Sequence, residues 1–268
     1  MNAQIIGTTL PVLEIGLQPG DKLISEPGQF SWMSSNVNLT TAARTGGATS
    51  LFGAIGRALS GGGLFMNEYH VDSGDGLVAF AAKVPGQIIQ VDLDVGTDYM
   101  IHRHGFLAGT EGINLQIGFQ KSLGAGLFGG DGFILQKLSG TGASWVELGG
   151  EVVTYDLTPG ETIRVHPGHV GMFDHSVNFN LGVIRGIKNV IFGGDGLFVA
   201  DLTGPGRVWL QSLTMPNLAG AIAPYLGEAR TSATAVGAGV GGSAGGLGGA
   251  MAGGVIGAVL GNILGGEE

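Results

Sequence analysis

An internal repeat is the feature of this chain that most constrains its fold. Residues 128–147 (FGGDGFILQKLSGTGASWVE) return without a gap as residues 192–211 (FGGDGLFVADLTGPGRVWLQ). The same offset of 64 positions pairs His102 with His166 upstream. Self-similarity at one period indicates copies of a single supersecondary unit that cannot bury its apolar face alone. The sequence therefore predicts a fold assembled from tandem copies.

A fainter copy precedes these two. The matching segments are residues 17–20 (LQPG) with 157–160 (LTPG), 27–28 (PG) with 167–168 (PG), and 74–76 (GDG) with 194–196 (GDG). We therefore predict three repeats, over about residues 12–90, 91–150 and 151–214. Together they form one domain over residues 1–226, which a tail over residues 227–268 follows.

The local pattern within each copy favours β-strands. Short β-branched or aromatic runs, such as residues 87–93 (QIIQVDL), alternate with Gly, Pro, Asn and Asp every eight to twelve residues, which is typical of consecutive antiparallel strands. We expect about four strands a copy. Because so small a sheet cannot bury both faces, three copies must share a core. The predicted fold is all-β, a sandwich or barrel with approximate threefold symmetry.

Composition excludes several classes of partner and chemistry. The chain of 268 residues has 12 Lys and Arg against 21 Asp and Glu, a net charge of -9, and phosphate neutralisation needs clustered cations. We therefore expect no nucleic-acid partner. The absence of Cys excludes disulfides, thiolate catalysis and Cys-type zinc sites. Residues 1–15 lack the basic and apolar regions of a signal peptide, so the predicted location is cytoplasmic.

Two segments depart from the repeat pattern, and the first is an insertion over residues 41–61. Within it, residues 50–59 (SLFGAIGRAL) have apolar side chains at helical spacing between glycine clusters, at Leu51, Phe52, Ile55 and Leu59. This spacing predicts a short amphipathic helix. We interpret this helix as a cap on the open end of the barrel or sandwich. A membrane or subunit contact is the alternative.

The second segment is a tail with a glycine zipper. Residues 231–266 carry no charge, and a glycine recurs at every fourth position, at Gly237, Gly241, Gly245, Gly249, Gly253, Gly257, Gly261 and Gly265. A helix with such a bare face permits close helix packing of the membrane type. Each Gly costs about 1 kcal/mol of helix propensity, so an isolated helix will not form. We expect membrane association, a disordered linker or soluble self-association.

One fragment resembles a metal-binding motif. His102, His104 and Glu111 approach the first metal motif of cupins, and two imidazoles at i and i+2 with a carboxylate suit Fe, Mn or Zn. However, the repeat aligns His102 with Glu26 and His166, and His104 with Gly28 and Gly168, which are turn positions. We therefore predict solvent-facing or hydrogen-bonded histidines, no cofactor and no enzymatic activity. A cupin-like metal-dependent or small-ligand-binding protein is the alternative.

Two tryptophans recur at the same place in the repeat. Trp145 and Trp209 both lie among apolar neighbours, which favours positions in the core. The alternative is that they form stacking platforms in a carbohydrate- or nucleic-acid-binding module, which requires exposed rings.

Four segments together resemble a known family. Residues 24–30 (ISEPGQF), 47–59, 192–198 (FGGDGLF) and 203–213 (TGPGRVWLQSL) are similar to the family named for altered inheritance of mitochondria, a mitochondrial biogenesis group widespread in bacteria. The similarity covers about residues 10–226. It implies a β fold like that of the tryptophan RNA-binding attenuation protein, built from repeats and without an established enzymatic activity. The missing presequence suggests a bacterial member, and the tail lies outside the shared region.

These features predict a non-enzymatic β scaffold. We expect it to be a homo-oligomer and to use the tail over Gly237–Gly265 to engage a membrane, a membrane protein or an assembly.

Overall fold

The structure, a computed structural model, describes residues 1–44, 64–121, 132–184 and 197–225. Two predictions lie outside these residues: the insertion helix over residues 50–59 and the glycine zipper. The chain divides into two compact units, Met1–Ala221 and Ile222–Glu268. The first unit is mostly β-structure, which confirms the all-β prediction. The described part of the second unit contains a short 3-10 turn, Ala223–Tyr225.

The described residues contain nineteen strands. An N-terminal strand, β1 (Asn2–Ile6), is followed by three sets of six. The first set is β2 (Val12–Leu17), β3 (Lys22–Ser25), β4 (Trp32–Met33), β5 (Val37–Arg44), β6 (Leu64–Val71) and β7 (Gly76–Ala81). The second is β8 (Gly86–Leu93), β9 (Tyr99–His102), β10 (Phe106–Thr110), β11 (Ile113–Lys121), β12 (Phe133–Gly140) and β13 (Gly142–Gly149). The third is β14 (Val152–Leu157), β15 (Thr162–Val165), β16 (Val170–Asp174), β17 (Asn178–Ile184), β18 (Leu197–Thr203) and β19 (Gly206–Gln211).

The same antiparallel pairings recur in each set. The first and third strands both pair with the sixth, and the second and fourth both pair with the fifth. Neighbouring sets are joined because β3 pairs with β10, and β9 pairs with β16. The resulting sheets have the orders β1-β2-β7-β4, β5-β6-β3-β10-β13-β8, β11-β12-β9-β16-β19-β14 and β15-β18-β17. Each set holds six strands rather than about four, and threefold packing symmetry stays a prediction.

The strand register corrects one part of the repeat alignment. Leu17, Leu93 and Leu157 occupy equivalent places, since they pair with Gly76, Gly142 and Gly206 at the start of each sixth strand. Residues 74–76 therefore form the hairpin that corresponds to residues 140–142 and 204–206. The match of 74–76 with 194–196 was wrong. The described hairpins are rich in glycine because tight turns require positive φ, as at Gly74 (φ 68) and Gly140 (φ 109). The same three letters at residues 194–196 made composition alone insufficient to align the copies.

Three apolar clusters form the core, and neighbouring sets share them. Leu13, Ile15 and Tyr69 of the first set are completely buried, and Ile88 and Trp145 of the second set pack in the same cluster. A second cluster combines Leu93 and Ile101 with Met172 of the third set. The third cluster contains stacked rings, with Phe179 5.7 Å from both Phe133 and Phe173. Since each cluster draws on two or more sets, no set forms a separate domain.

In the described part of the chain, an α-helix, α1 (Met215–Ile222), follows β19. The hydroxyl of Thr214 accepts a hydrogen bond from the amide of Asn217 at 3.1 Å, which caps the start of the helix. A 3-10 turn, Pro167–His169, precedes β16. In the part of the chain that the structure describes, no helix is long and apolar enough to cross a membrane.

Candidate functional site

A group of buried and half-buried polar side chains lies around the turn that joins β9 to β10. We call Glu26, Gln29, His102, Gln136 and Glu147 the buried polar cluster. Gln29 and Gln136 are each 4% exposed, and Glu147 is 5% exposed. Because burying polar groups without partners is costly, their hydrogen bonds indicate what the cluster does.

His102 is the last residue of β9. Its Nε2 atom lies 2.8 Å from the main-chain oxygen of Glu147, and since a carbonyl only accepts, Nε2 carries the proton. Burial lowers the pKa of the imidazole, which the hydrogen bond to Glu147 partly opposes. A side chain at Gly105 would place its Cβ 2.8 Å from Nε2. The position of the His102 ring therefore depends on the absence of a side chain at Gly105 in the following turn.

Glu147, on β13, holds the connection between β7 and β8. Its Oε1 atom accepts hydrogen bonds from the amides of Lys83 at 2.7 Å and Val84 at 3.3 Å. Burial raises the pKa of this carboxyl, although both hydrogen bonds and the charge of Lys83 act in the opposite direction. Glu147 thus connects β13 to the end of β9 through its main chain, and to the β7–β8 connection through its side chain.

Glu26 follows β3 and reaches across to the second strand set. Its Oε1 atom accepts a hydrogen bond from Nε2 of Gln136 at 2.9 Å, between residues 110 positions apart. Burial raises the pKa of Glu26, while the bond from Gln136 and the charges of Lys83 and Arg103 lower it. Nearby, Nε2 of Gln29 donates to the carbonyl of Phe106 at 3.1 Å. These bonds connect the first set to the second.

Three oxygens of the cluster have no hydrogen-bond partner: Oε2 of Glu26, Oε1 of Gln29 and Oε1 of Gln136. All three are acceptors, so a protonated Glu26 would supply a donor that the deprotonated form lacks. This shortage of donors agrees with the raised pKa of Glu26.

An open groove of about 520 Å³ lies elsewhere, between the β1–β2 turn and the start of β8. Its lining includes Ile5, Pro11, Pro85, Gln87 and Glu151, but no member of the buried polar cluster. The titratable groups with raised or lowered pKa values in the cluster therefore do not face this groove. Their arrangement suits a structural connection between strand sets.

The structure does not bring the predicted metal candidates together. His102 donates to Glu147, His104 lies in the next turn, and Glu111 follows β10, where its Oε1 lies 3.0 Å from Nζ of Lys22. The five residues of β10 span about 17 Å at about 3.4 Å each. Among the described residues, no group of three or more His, Cys, Asp or Glu side chains is arranged to hold a metal ion.

His104 occupies a turn, as the repeat alignment predicted. Its φ of 67° is in the left-handed region, and Gly28 at the equivalent place has φ 85°. A non-glycine residue in this region is uncommon, and the shared positive φ indicates the same type of turn at both places.

The two tryptophans differ in environment. Trp145 is 3% exposed within the first core cluster, which confirms its place in the core and excludes it as a stacking platform. Trp209 is half-buried, with the ring of Tyr99 at 6.0 Å edge to face and the guanidinium of Arg207 at 5.8 Å. The paired exposed platforms of a carbohydrate- or nucleic-acid-binding module are therefore not present at these two positions.

Sequence reasoning did not single out Glu26, Gln29, Gln136 or Glu147. One signal was available: Glu147 recurs as Gln211 in the next copy, a polar residue at the same place in two apolar strands. Gln211 also bonds main-chain groups, accepting from the amide of Gly149 at 2.9 Å and donating to the carbonyl of Gly168 at 3.1 Å. The repeated polar position marks a repeated structural bond.

Comparison with known proteins places this fold in a family. The model of the family described as Mitochondrial biogenesis AIM24 matches residues 3–213, nearly the whole of the β-structure. The chain belongs to this family. An uncharacterized protein of Streptococcus pyogenes serotype M6 is similar to it, with 28% identity over 222 residues, 81% of this chain and 87% of that protein.

A solved structure shares the fold of this AIM24 family member. A crystal structure of a Streptococcus pyogenes protein superposes with a TM-score of 0.67 at 25% identity, covering 84% of this chain and 99% of that chain. The family resemblance seen in the sequence is therefore confirmed. The fold of the tryptophan RNA-binding attenuation protein stays a prediction.

Proposed function

We propose that this AIM24 family member is a non-enzymatic β scaffold that self-associates and engages a membrane or an assembly through residues 237–265. One observation carries the proposal. The perturbed acid and base groups of the buried polar cluster, Glu26, His102 and Glu147, are hydrogen-bonded between strand sets and do not line the open groove. Groups hydrogen-bonded in this way stabilise the contacts between strand sets.

Exposed apolar side chains on outer strands support the self-association part. Ile5 and Ile6 on β1, and Val153 and Tyr155 on β14, are each more than 40% exposed. Large apolar side chains grouped at a sheet edge favour contact with another chain.

Composition supports the part played by the tail. The eight zipper glycines in an uncharged segment suit close helix packing, and their cost in helix propensity means that such a helix needs a packing partner. A membrane or a second tail supplies one.

Cell fractionation and sedimentation of the full-length protein test both parts. A truncation at Leu226 and a full-length variant with Gly249→Leu and Gly253→Leu provide the comparison. We expect the wild type in an oligomeric, membrane-associated fraction and the truncation in a soluble fraction. The leucine variant should form a smaller oligomer without leaving the membrane, because leucine blocks close helix packing but makes the tail more apolar. A soluble wild type whose oligomer size is unchanged by either variant would contradict the role of the tail, and a monomeric wild type would contradict self-association.

A further inference from the structure

Two side chains of β14 are exposed where the equivalent side chains of β2 are buried. Register places Val153 with Leu13 of the first set and Tyr155 with Ile15. Leu13 and Ile15 are 0% exposed, whereas Val153 is 48% and Tyr155 is 43% exposed. In the first set the outer edge of the equivalent strand, β2, is covered by β1. By contrast, β14, like β8 of the second set, ends its sheet in the described part of the chain.

The open edge of β14 presents free backbone groups at known positions. The amide of Ser212 donates to the carbonyl of Glu151 at 2.9 Å, so Glu151 faces β19. Since antiparallel strands alternate, the N–H and C=O groups of Val152, Thr154 and Asp156 point away from β19. These residues form a regular hydrogen-bonding edge, because the β14–β19 ladder continues from Val152 to Leu157 without a bulge.

The edge lacks the features that normally protect a strand from pairing. Residues 152–157 (VVTYDL) contain no Pro and no Lys, the residues that commonly block such an edge. Asp156 is the charged residue among them, and Arg207 of the neighbouring strand binds both of its carboxylate oxygens. Its negative charge is therefore compensated, and two such edges do not repel each other strongly.

We propose that β14 pairs antiparallel with β14 of a second copy of this chain, about a twofold axis at Thr154. With the axis at this position, the outward N–H and C=O groups of Thr154 pair with those of Thr154 in the second copy. Those of Val152 pair with those of Asp156 in the second copy. This arrangement forms about six main-chain hydrogen bonds. On one face, Val153 lies opposite Tyr155 of the second copy, twice over, and an aromatic side chain beside a β-branched one is a favourable cross-strand pair.

This inference rests on the self-association part of the proposed function and specifies its interface. The sequence of the edge is self-complementary under the twofold operation, which is what an isologous dimer requires. The exposed edge strand β1 is the competing place for contact between copies, and it supplies a matched control.

Cysteine cross-linking tests the register, since the chain has no Cys. In the full-length Thr154→Cys variant, the two Cα atoms would lie about 5.5 Å apart, within the range of a disulfide. In Val152→Cys they would lie about 14 Å apart along the strands. We expect mild oxidation to give a covalent dimer at least tenfold faster with Thr154→Cys. Equal rates, or a faster reaction with Val152→Cys, would overturn the proposed pairing.

A charge substitution tests the surface separately. In analytical ultracentrifugation of the full-length protein, we expect Tyr155→Lys to weaken association at least tenfold and Ile5→Lys on β1 to leave it unchanged. If the wild type associates but Tyr155→Lys does not weaken it, the β14 interface is wrong while self-association stands. A wild type that is monomeric at every concentration would instead defeat the self-association on which this inference depends.

Discussion

The ring nitrogen Nε2 of His102 lies 2.8 Å from the main-chain oxygen of Glu147, so a residue expected to be a weak metal candidate is a donor within the fold. The same Glu147 holds the β7–β8 connection through its carboxylate. This pair makes the protonation state of one histidine a condition of stability.

Acidification is expected to destabilise the protein through His102. Burial lowers the pKa of this ring below its ordinary value of 6.5, so the unfolded state binds a proton that the folded state does not, and stability falls as the pH drops below about 6.5. The slope from one group is at most about 1.4 kcal/mol per pH unit. Urea unfolding at pH 5 to 8 should show a weaker pH dependence in His102→Gln, whereas the exposed control His175→Gln should match the wild type.

Glu26 is expected to act in the opposite direction. Its pKa is raised above 4.5 by burial, so the folded state retains a proton that the unfolded state loses, and stability falls as the pH rises through the interval between the two pKa values. Glu26→Gln keeps an acceptor for the Gln136 side chain. Because the amide does not ionise, it also removes the loss of stability at higher pH. We expect it to gain stability relative to the wild type between pH 4 and pH 8 in urea unfolding.

Glu26→Ala provides the control. It removes the acceptor of the Gln136 side chain and should cost about 1–3 kcal/mol. Equal stability of the amide and alanine variants at pH 8 would show that the bond to Gln136 contributes nothing.

Gly105→Ala is expected to displace the His102 ring. The added Cβ would lie 2.8 Å from Nε2 and 3.1 Å from the His102 carbonyl oxygen, and overpacking of this kind costs about 1–3 kcal/mol. Gly182→Ala, where no atom lies within 4 Å of the added carbon, should have little effect. Thermal unfolding of the two variants provides the comparison, and equal melting temperatures would contradict the packing described for His102.

Substitutions at the equivalent turns should have unequal effects. His104 and Gly28 both have positive φ, 67° and 85°, a conformation that costs a non-glycine residue roughly 1–2 kcal/mol. We expect Gly28→Ala to destabilise the protein by about 1 kcal/mol. His104→Gly should change stability less, because the interactions of His104 are lost and glycine adds entropy to the unfolded chain. Denaturant midpoints measure both changes, and a stabilising Gly28→Ala would show that the turn relaxes.

Local patterns predicted much of the fold. Alternating β-branched residues and glycine-rich turns identified an all-β chain, and the repeat aligned His104 with Gly28 at a turn. Strand pairing was harder to predict, since residues 74–76 share three letters with residues 194–196, but their strand register matches residues 140–142 and 204–206. The bond between Glu26 and Gln136 joins residues 110 positions apart, and no local periodicity reports a contact of that range. Each set has six strands and not the predicted four. A strand of two residues, such as β4, is too short to show an alternating hydrophobic pattern.

The ladder between β3 and β10 has a consequence during translation. β3 ends at Ser25, but its second neighbour, which ends at Thr110, is synthesised 85 residues later, roughly 4 to 17 seconds at about 5–20 residues per second. The nascent chain therefore has a strand edge without its hydrogen-bonding partner while the ribosome completes the next set. The edge of β9 lacks its partner β16 for the same reason. Cells that make this protein quickly, with several ribosomes on one message, bring such edges close together, so its yield should depend on how nascent chains are kept apart.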